Sequence, residues 1–142
     1  MKSTYPVKVT QAGIPYLEMA EELAILEDLM IIDLNLTNIQ EYTDKIDEVL
    51  HSGSPQEISG STTLLKIDKN RTIVYNFAID QECTLETKEL KEILKNYLKQ
   101  SILMTIEQDL RKKQAIYEKV KNLDDITDFL KIRSELQQDK IV

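Results

Sequence analysis

The sequence predicts an α+β fold: a small antiparallel or mixed sheet of three or four strands, packed with two acidic helices, a long C-terminal helix and a short terminal helix. Three observations carry the prediction. Two arms of alternating apolar residues lie between Ile58 and Asp80, apolar residues recur at steps of three and four elsewhere, and only three Gly and three Pro interrupt 142 residues. At that length the chain is expected to form a single domain, residues 1–142, with its own hydrophobic core. Apolar content of 42% with 30% charged residues excludes a disordered polypeptide.

Taken in order, Tyr5, Val7 and Val9 alternate with polar residues as a short strand, and Pro6, which has no amide to donate, places it at a sheet edge. Gly13 and Pro15 then end the strand and open a first helix. Leu17, Ala20, Leu23, Ala24 and Leu26 form its inner face, with Glu18, Glu21 and Glu22 outside. The alternation of Met30, Ile32, Leu34 and Leu36 favours a strand over residues 29–37, although the preceding helix could also run on. Thr37 with Gln40 three residues later has the form of a capping box and starts a second helix at Asn38. Its inner residues are Ile39, Tyr42, Ile46, Val49 and Leu50, and Gly53 and Pro55 stop it.

The clearest β signal is a hairpin over residues 58–80. Thr63, Leu65 and Ile67 on one arm and Ile73, Tyr75, Phe77 and Ile79 on the other are assigned to one face, joined by Asp68 to Arg71 with Asn70 supplying a residue tolerant of positive φ. From Leu85 to Lys121 no Gly or Pro occurs. One unbroken helix there would span on the order of 54 Å, more than such a domain needs. Leu90, Ile93, Leu94, Tyr97 and Leu98 mark its first stripe, and Leu103, Ile106, Leu110, Tyr117 and Val120 continue it past a defect at Lys113. Asn122 with Asp125 signals the start of a last helix carrying Ile126, Phe129, Leu130 and Leu136.

Charge is the most informative functional signal. Between Ile14 and Leu50 there are ten Asp or Glu and one Lys, whereas the whole chain has a net charge of −7. The remainder is therefore slightly basic, and the field around the protein favours cationic partners and repels nucleic-acid backbones. No direct nucleic-acid binding is expected. Arg111, Lys112 and Lys113 are adjacent, but pairs such as Lys88 with Glu92 and Glu92 with Lys95 neutralise much of the charge on the long helix.

Motifs for chemistry are weak. His51, the one histidine, follows Glu48 by three residues, yet a bundle di-iron site needs two Glu-x-x-His units and further carboxylates, so a helix C-terminal position explains it better. The clusters Glu18, Glu21, Glu22 and Asp44, Asp47, Glu48 lack the turn-making Gly of a calcium loop and read as solvated faces. Cys83, the one cysteine, permits no internal disulfide and reads as a small residue near a strand end. Gly13, Gly53 and Gly60 assemble no phosphate-binding loop, and no cofactor or metal is expected. Neither an N-terminal apolar targeting segment nor a membrane-length apolar run is present, so cytoplasmic residence without membrane contact is the expectation.

The reading that follows is a small acidic protein-binding module rather than an enzyme, of the immunity-protein, antitoxin or inhibitor kind. Its partner has a basic functional surface, and Glu18, Glu21, Glu22, Glu41, Asp44, Asp47 and Glu48 form the contact face. The alternative is assembly into a homo-oligomer through the long helix 85–121. A third, an enzyme or ligand sensor, has no motif behind it.

Overall fold

The computed structural model describes residues 5–107, 116 and 118–141. Its first strand, β1 (Val7–Val9), pairs antiparallel with β2 (Pro15–Leu17), Val7 opposite Leu17 and Val9 opposite Pro15. Gly13 makes the turn at φ +85°, its amide donating to Thr10 O over 2.9 Å. Pro15 is thus a strand residue, not the opening of a helix. The chain stays extended through Met19, then makes a 3₁₀ turn at Glu21–Leu23 and only afterwards a helix, α1 (Ile25–Asp28). The buried residues Leu17 and Met19 follow a period of two that the helical spacing further on concealed.

Residues 29–37 are not a strand either. α1 runs directly into a π turn, Leu29–Asp33, in which Leu34 N donates to Leu29 O over 2.8 Å. A π turn has a longer period than an α-helix, so Leu29, Met30, Asp33 and Leu34 face inward while Ile32 is 53% exposed. The alternation of Met30, Ile32, Leu34 and Leu36 has no structural counterpart.

The second helix, α2 (Ile39–Ser52), has the expected extent and ends on Gly53, whose φ of +78° provides the left-handed cap. Its entry differs from a capping box. Asn35 Oδ1 accepts from the amides of Thr37 and Asn38 at 2.8 Å each, and Asn38 Oδ1 accepts from Asn35 N at 2.9 Å. Two asparagines thus tie the turn in place of Thr37 and Gln40.

Four strands follow as an antiparallel meander in chain order: β3 (Gln56–Ser59), β4 (Thr63–Ile67), β5 (Arg71–Asn76) and β6 (Gln81–Glu86). β4 and β5 are the expected hairpin, now flanked on both sides. The inner face of β5 is a correction. Leu65 pairs with Val74 and Ile67 with Thr72, and cross-strand partners share a face, so Thr72, Val74 and Asn76 point inward. Ile73 and Tyr75 lie on the outer face, and Phe77 and Ile79 are exposed. Two polar residues are tolerated inside because each is paired: Thr72 Oγ1 with Thr87 Oγ1 at 2.9 Å, and Asn76 Nδ2 donating to Asp28 Oδ2 at 3.0 Å. Among the described residues Asp80, rather than Asn70, is the non-glycine with positive φ.

Residues 85 and 86 close β6, so the long helix starts later than expected. α3 (Thr87–Glu107) buries Leu90, Ile93, Leu94, Tyr97, Leu98, Ile102 and Ile106. Arg111, Lys112, Lys113, Leu110 and Tyr117 lie outside the described residues, as does the continuity of residues 108–115. A short helical stretch at 118–122 precedes the last helix, α4 (Ile126–Ile141). Asp125, three residues after the predicted Asn122, caps it through Thr127 N at 2.8 Å. The helices pack on the inner face of the meander, with α2 against β3 and β4 and α3 between α2 and α4.

Candidate functional site

The seven predicted contact carboxylates are all exposed, but they fall in two places. Glu18 follows β2, and Glu21 and Glu22 sit on the 3₁₀ turn, which packs against β6 at one end of the sheet order. Glu41, Asp44, Asp47 and Glu48 lie on α2, which packs against β3 and β4 at the other. On α2, Glu41, Asp44 and Glu48 are spaced three and four apart and so form one stripe, opposite the buried Ile39, Tyr42, Ile46 and Val49. Gln40 and Gln56 donate weak hydrogen bonds at 3.4 Å to Asp44 and Glu48. Among the described residues only Asp47 of the four has a cation partner, Lys91 Nζ at 2.7 Å.

Not every acidic residue of residues 14–50 faces water. Asp33 is buried, and its carboxylate accepts from the amides of Ser61 (3.0 Å), Thr62 (3.1 Å) and Thr63 (2.8 Å) and from the Ser61 and Thr63 hydroxyls. Glu27 turns inward to accept from Met19 N at 2.9 Å. These two are structural anchors, so the surface is less acidic than the raw count implies.

An open cavity of about 790 Å³ lies between the β1–β2 loop, the π turn with residues 34–37, and the second half of α3. Ile14, Ile31, Leu34 and Met104 give its described wall an apolar part, Asn35, Thr37 and Thr105 are polar, and none of the described lining residues is charged. Three hydroxyl side chains of α3 stand in this wall, Tyr97, Ser101 and Thr105, the last of which donates to Ser101 O over 2.9 Å. Tyr97 is 3% exposed and Ser101 5%. Burial pushes the Tyr97 phenol above its usual range, opposed by the facing Ser101 hydroxyl. The approach between them is too poorly aligned for a proper bond, because Ser101 Oγ has no hydrogen-bond partner. Sequence reasoning placed Tyr97 on the core stripe and did not single out Ser101. Nothing in the spacing marks either one, since the cavity is assembled from three separate segments.

Arg133 on α4 is a second feature the sequence reading missed. It is 7% exposed, and its guanidinium donates to Gln40 Oε1 at 2.8 Å, Ser134 Oγ at 3.2 Å and Leu36 O at 3.4 Å, with Nε unpartnered. No carboxylate pairs with it among the described residues. Here a signal existed: Arg133 stands four residues after Phe129 and three before Leu136, on the apolar face of the helix.

His51 is exposed at the C-terminal end of α2. Among the described residues no three His, Cys, Asp or Glu side chains converge as a metal site, and no helix is long and apolar enough to cross a membrane. Comparison with protein-family models, curated proteins and solved structures finds no match for this chain.

Proposed function

We infer that this is a small acidic protein-binding module, of the immunity-protein, antitoxin or inhibitor kind, that covers a basic functional surface of a partner protein. The observation that carries the reading is the stripe Glu41, Asp44 and Glu48 on α2, exposed on a 14-residue helix whose opposite face is locked into the core. Carboxylates on a rigid helix are preorganised, so the entropy cost of arranging them is met in folding rather than at encounter. Opposite charge then accelerates association and fixes orientation. Glu18, Glu21 and Glu22, near β6, form a second acidic patch that steers approach without sharing the same contact.

Assembly through the long helix has less in its favour. Val7, Val9, Ile32, Phe77 and Ile79 are the large apolar side chains exposed among the described residues, and none belongs to α3. The apolar side chains described on α3 are buried or half-buried against the rest of the fold.

The test is capture of host proteins on the immobilised full chain, washed at roughly 0.05 M and 0.5 M salt, across which the Debye length falls about threefold. It is run in parallel with a Glu41→Lys, Asp44→Lys, Glu48→Lys variant. A basic protein held by the parent at low salt, weakened at high salt and lost by the variant supports the reading. Equal capture by parent and variant refutes it.

A further inference from the structure

We propose that the cavity between the β1–β2 loop, the π turn and α3 binds a neutral, mainly aliphatic molecule carrying a carbonyl oxygen. The volume, about 790 Å³, lies in the range of small-molecule sites, which combine apolar walls with a few convergent polar groups. Ile14, Ile31, Leu34 and Met104 provide the apolar wall, and Met104, with three rotatable bonds, adapts to irregular ligand shapes.

The polar point is the pair Tyr97 and Ser101, one helical turn apart on α3 and each more than nine-tenths buried. A buried hydroxyl without a partner costs free energy, and folded proteins leave few of them. Here Ser101 Oγ is buried in the cavity wall without a hydrogen-bond partner, and the Tyr97 phenol stands beside it. Because no proper hydrogen bond joins the two hydroxyls, the Tyr97 O–H is not tied up by Ser101 and can donate to a molecule in the cavity. Its complement is an acceptor oxygen. A phenol is protonated at neutral pH, and burial moves its ionisation further from that range.

The absence of charge in the described lining sets the ligand class. A carboxylate or ammonium entering this wall loses hydration with no counter-ion among the described lining residues to replace it, whereas a ketone, ester or amide loses little and gains the phenol hydrogen bond.

Nile red, a neutral dye with a ring carbonyl, is the probe, read by the blue shift of its emission on entering an apolar site. 2-Decanone, decanoate and propylbenzene compete against it at pH 7.5. The expected result is a saturable blue-shifted signal that 2-decanone displaces at much lower concentration than decanoate. Tyr97→Phe lowers 2-decanone affinity about three- to tenfold, the range of one neutral hydrogen bond, and leaves propylbenzene unchanged. Met104→Trp, which fills the cavity, abolishes the signal. The proposal is overturned if the parent gives no saturable signal, if decanoate competes as well as the ketone, or if Tyr97→Phe weakens ketone and hydrocarbon alike. Dye binding undiminished in a folded Met104→Trp overturns it too; if that variant does not fold, the Tyr97→Phe comparison decides alone.

Discussion

The carboxylate of Asp33 closes a turn that begins 28 residues further along the chain, accepting from the backbone amides of Ser61, Thr62 and Thr63 at once. The π turn at Leu29–Asp33 is what delivers it there, and Gly60 leaves room for it. A Cβ on Gly60 would sit 2.5 Å from Asp33 Cγ. The loop between β3 and β4 is therefore built around a side chain from another part of the chain. Asp33→Asn keeps the shape but turns one acceptor oxygen into a donor facing donors, and is expected to destabilise the fold by about 2–4 kcal/mol. Gly60→Ala is expected to cost a similar amount. Because Asp33→Ala removes the Cγ and Oδ2 that a Cβ on Gly60 would meet, leaving only Asp33 Cβ at 2.8 Å, Asp33→Ala with Gly60→Ala together should cost less than the sum of the single variants in urea melts. Strict additivity would show that the Gly60 contact does not depend on Asp33.

Legibility in the sequence follows the locality of each interaction. α2 and its Gly53 stop, and the central pair β4 and β5, were readable because their signals are short-range: a 3.6-residue stripe, a C-terminal glycine and two alternating arms around a tight turn. The π turn was not, since its apolar residues imitate a strand and its cause is the distant loop that binds Asp33. The inner face of β5 was misassigned because Thr72 and Asn76 look solvent-facing until Thr87 and Asp28 are seen to satisfy them. Exposure of the carboxylates on α2 was legible from the same stripe that defined its core. Their separation from Glu21 and Glu22 was not, because it depends on where the 3₁₀ turn docks.

The left-handed cap at Gly53 gives a second stability prediction. Its φ of +78° is strained for any residue with a Cβ, while space is not the obstacle: the nearest atom to an added Cβ is Lys69 Cδ at 3.9 Å. Gly53→Ala is therefore expected to cost about 1 kcal/mol, and Gly53→Asn less, because asparagine accepts this conformation more readily. Equal stability of Gly53→Ala and the parent in thermal melts would mean that the end of α2 rearranges.

Alkaline pH should loosen the fold before it affects much else. Burial pushes the Cys83 thiol up to about 11, with Glu82 adding to the shift, and burial pushes the Tyr42 phenol up to about 12, helped by Asp33 and Glu41. In the unfolded chain these groups ionise near 9 and 10. Above those values the unfolded state has fewer bound protons than the folded one, so stability falls as pH rises. The contribution is complete below about pH 9 and is lost progressively between there and pH 11–12. The urea midpoint should be flat from pH 7 to 9 and then decline, with Tyr42→Phe declining less steeply than the parent. A thiol reagent should also modify Cys83 with a rate that climbs toward pH 11 rather than levelling near 9. Levelling near 9 would place the thiol in contact with water.

Arg133 poses the opposite question, because a buried cation without an anion is costly to keep. Three hydrogen bonds, to Gln40, Ser134 and Leu36, replace part of its hydration, and the longest of them, at 3.4 Å, is weak. Nε gets none. Apolar residues of similar length often equal or exceed even paired buried charges in stability, since the desolvation penalty disappears with the charge. Arg133→Met should accordingly leave stability unchanged or raise it by about 1–2 kcal/mol, with the methionine filling the same space beside the buried Phe129 and Leu136 of its helix face. Arg133→Lys should be the worse replacement, because a shorter reach and a concentrated charge keep the desolvation cost while losing the fork of bonds. Melting temperatures of the two variants separate the alternatives. If Arg133→Met loses more than about 2 kcal/mol while Arg133→Lys does not, the positive charge itself stabilises this corner of the fold, and the carbonyl and amide oxygens around it repay its burial in full.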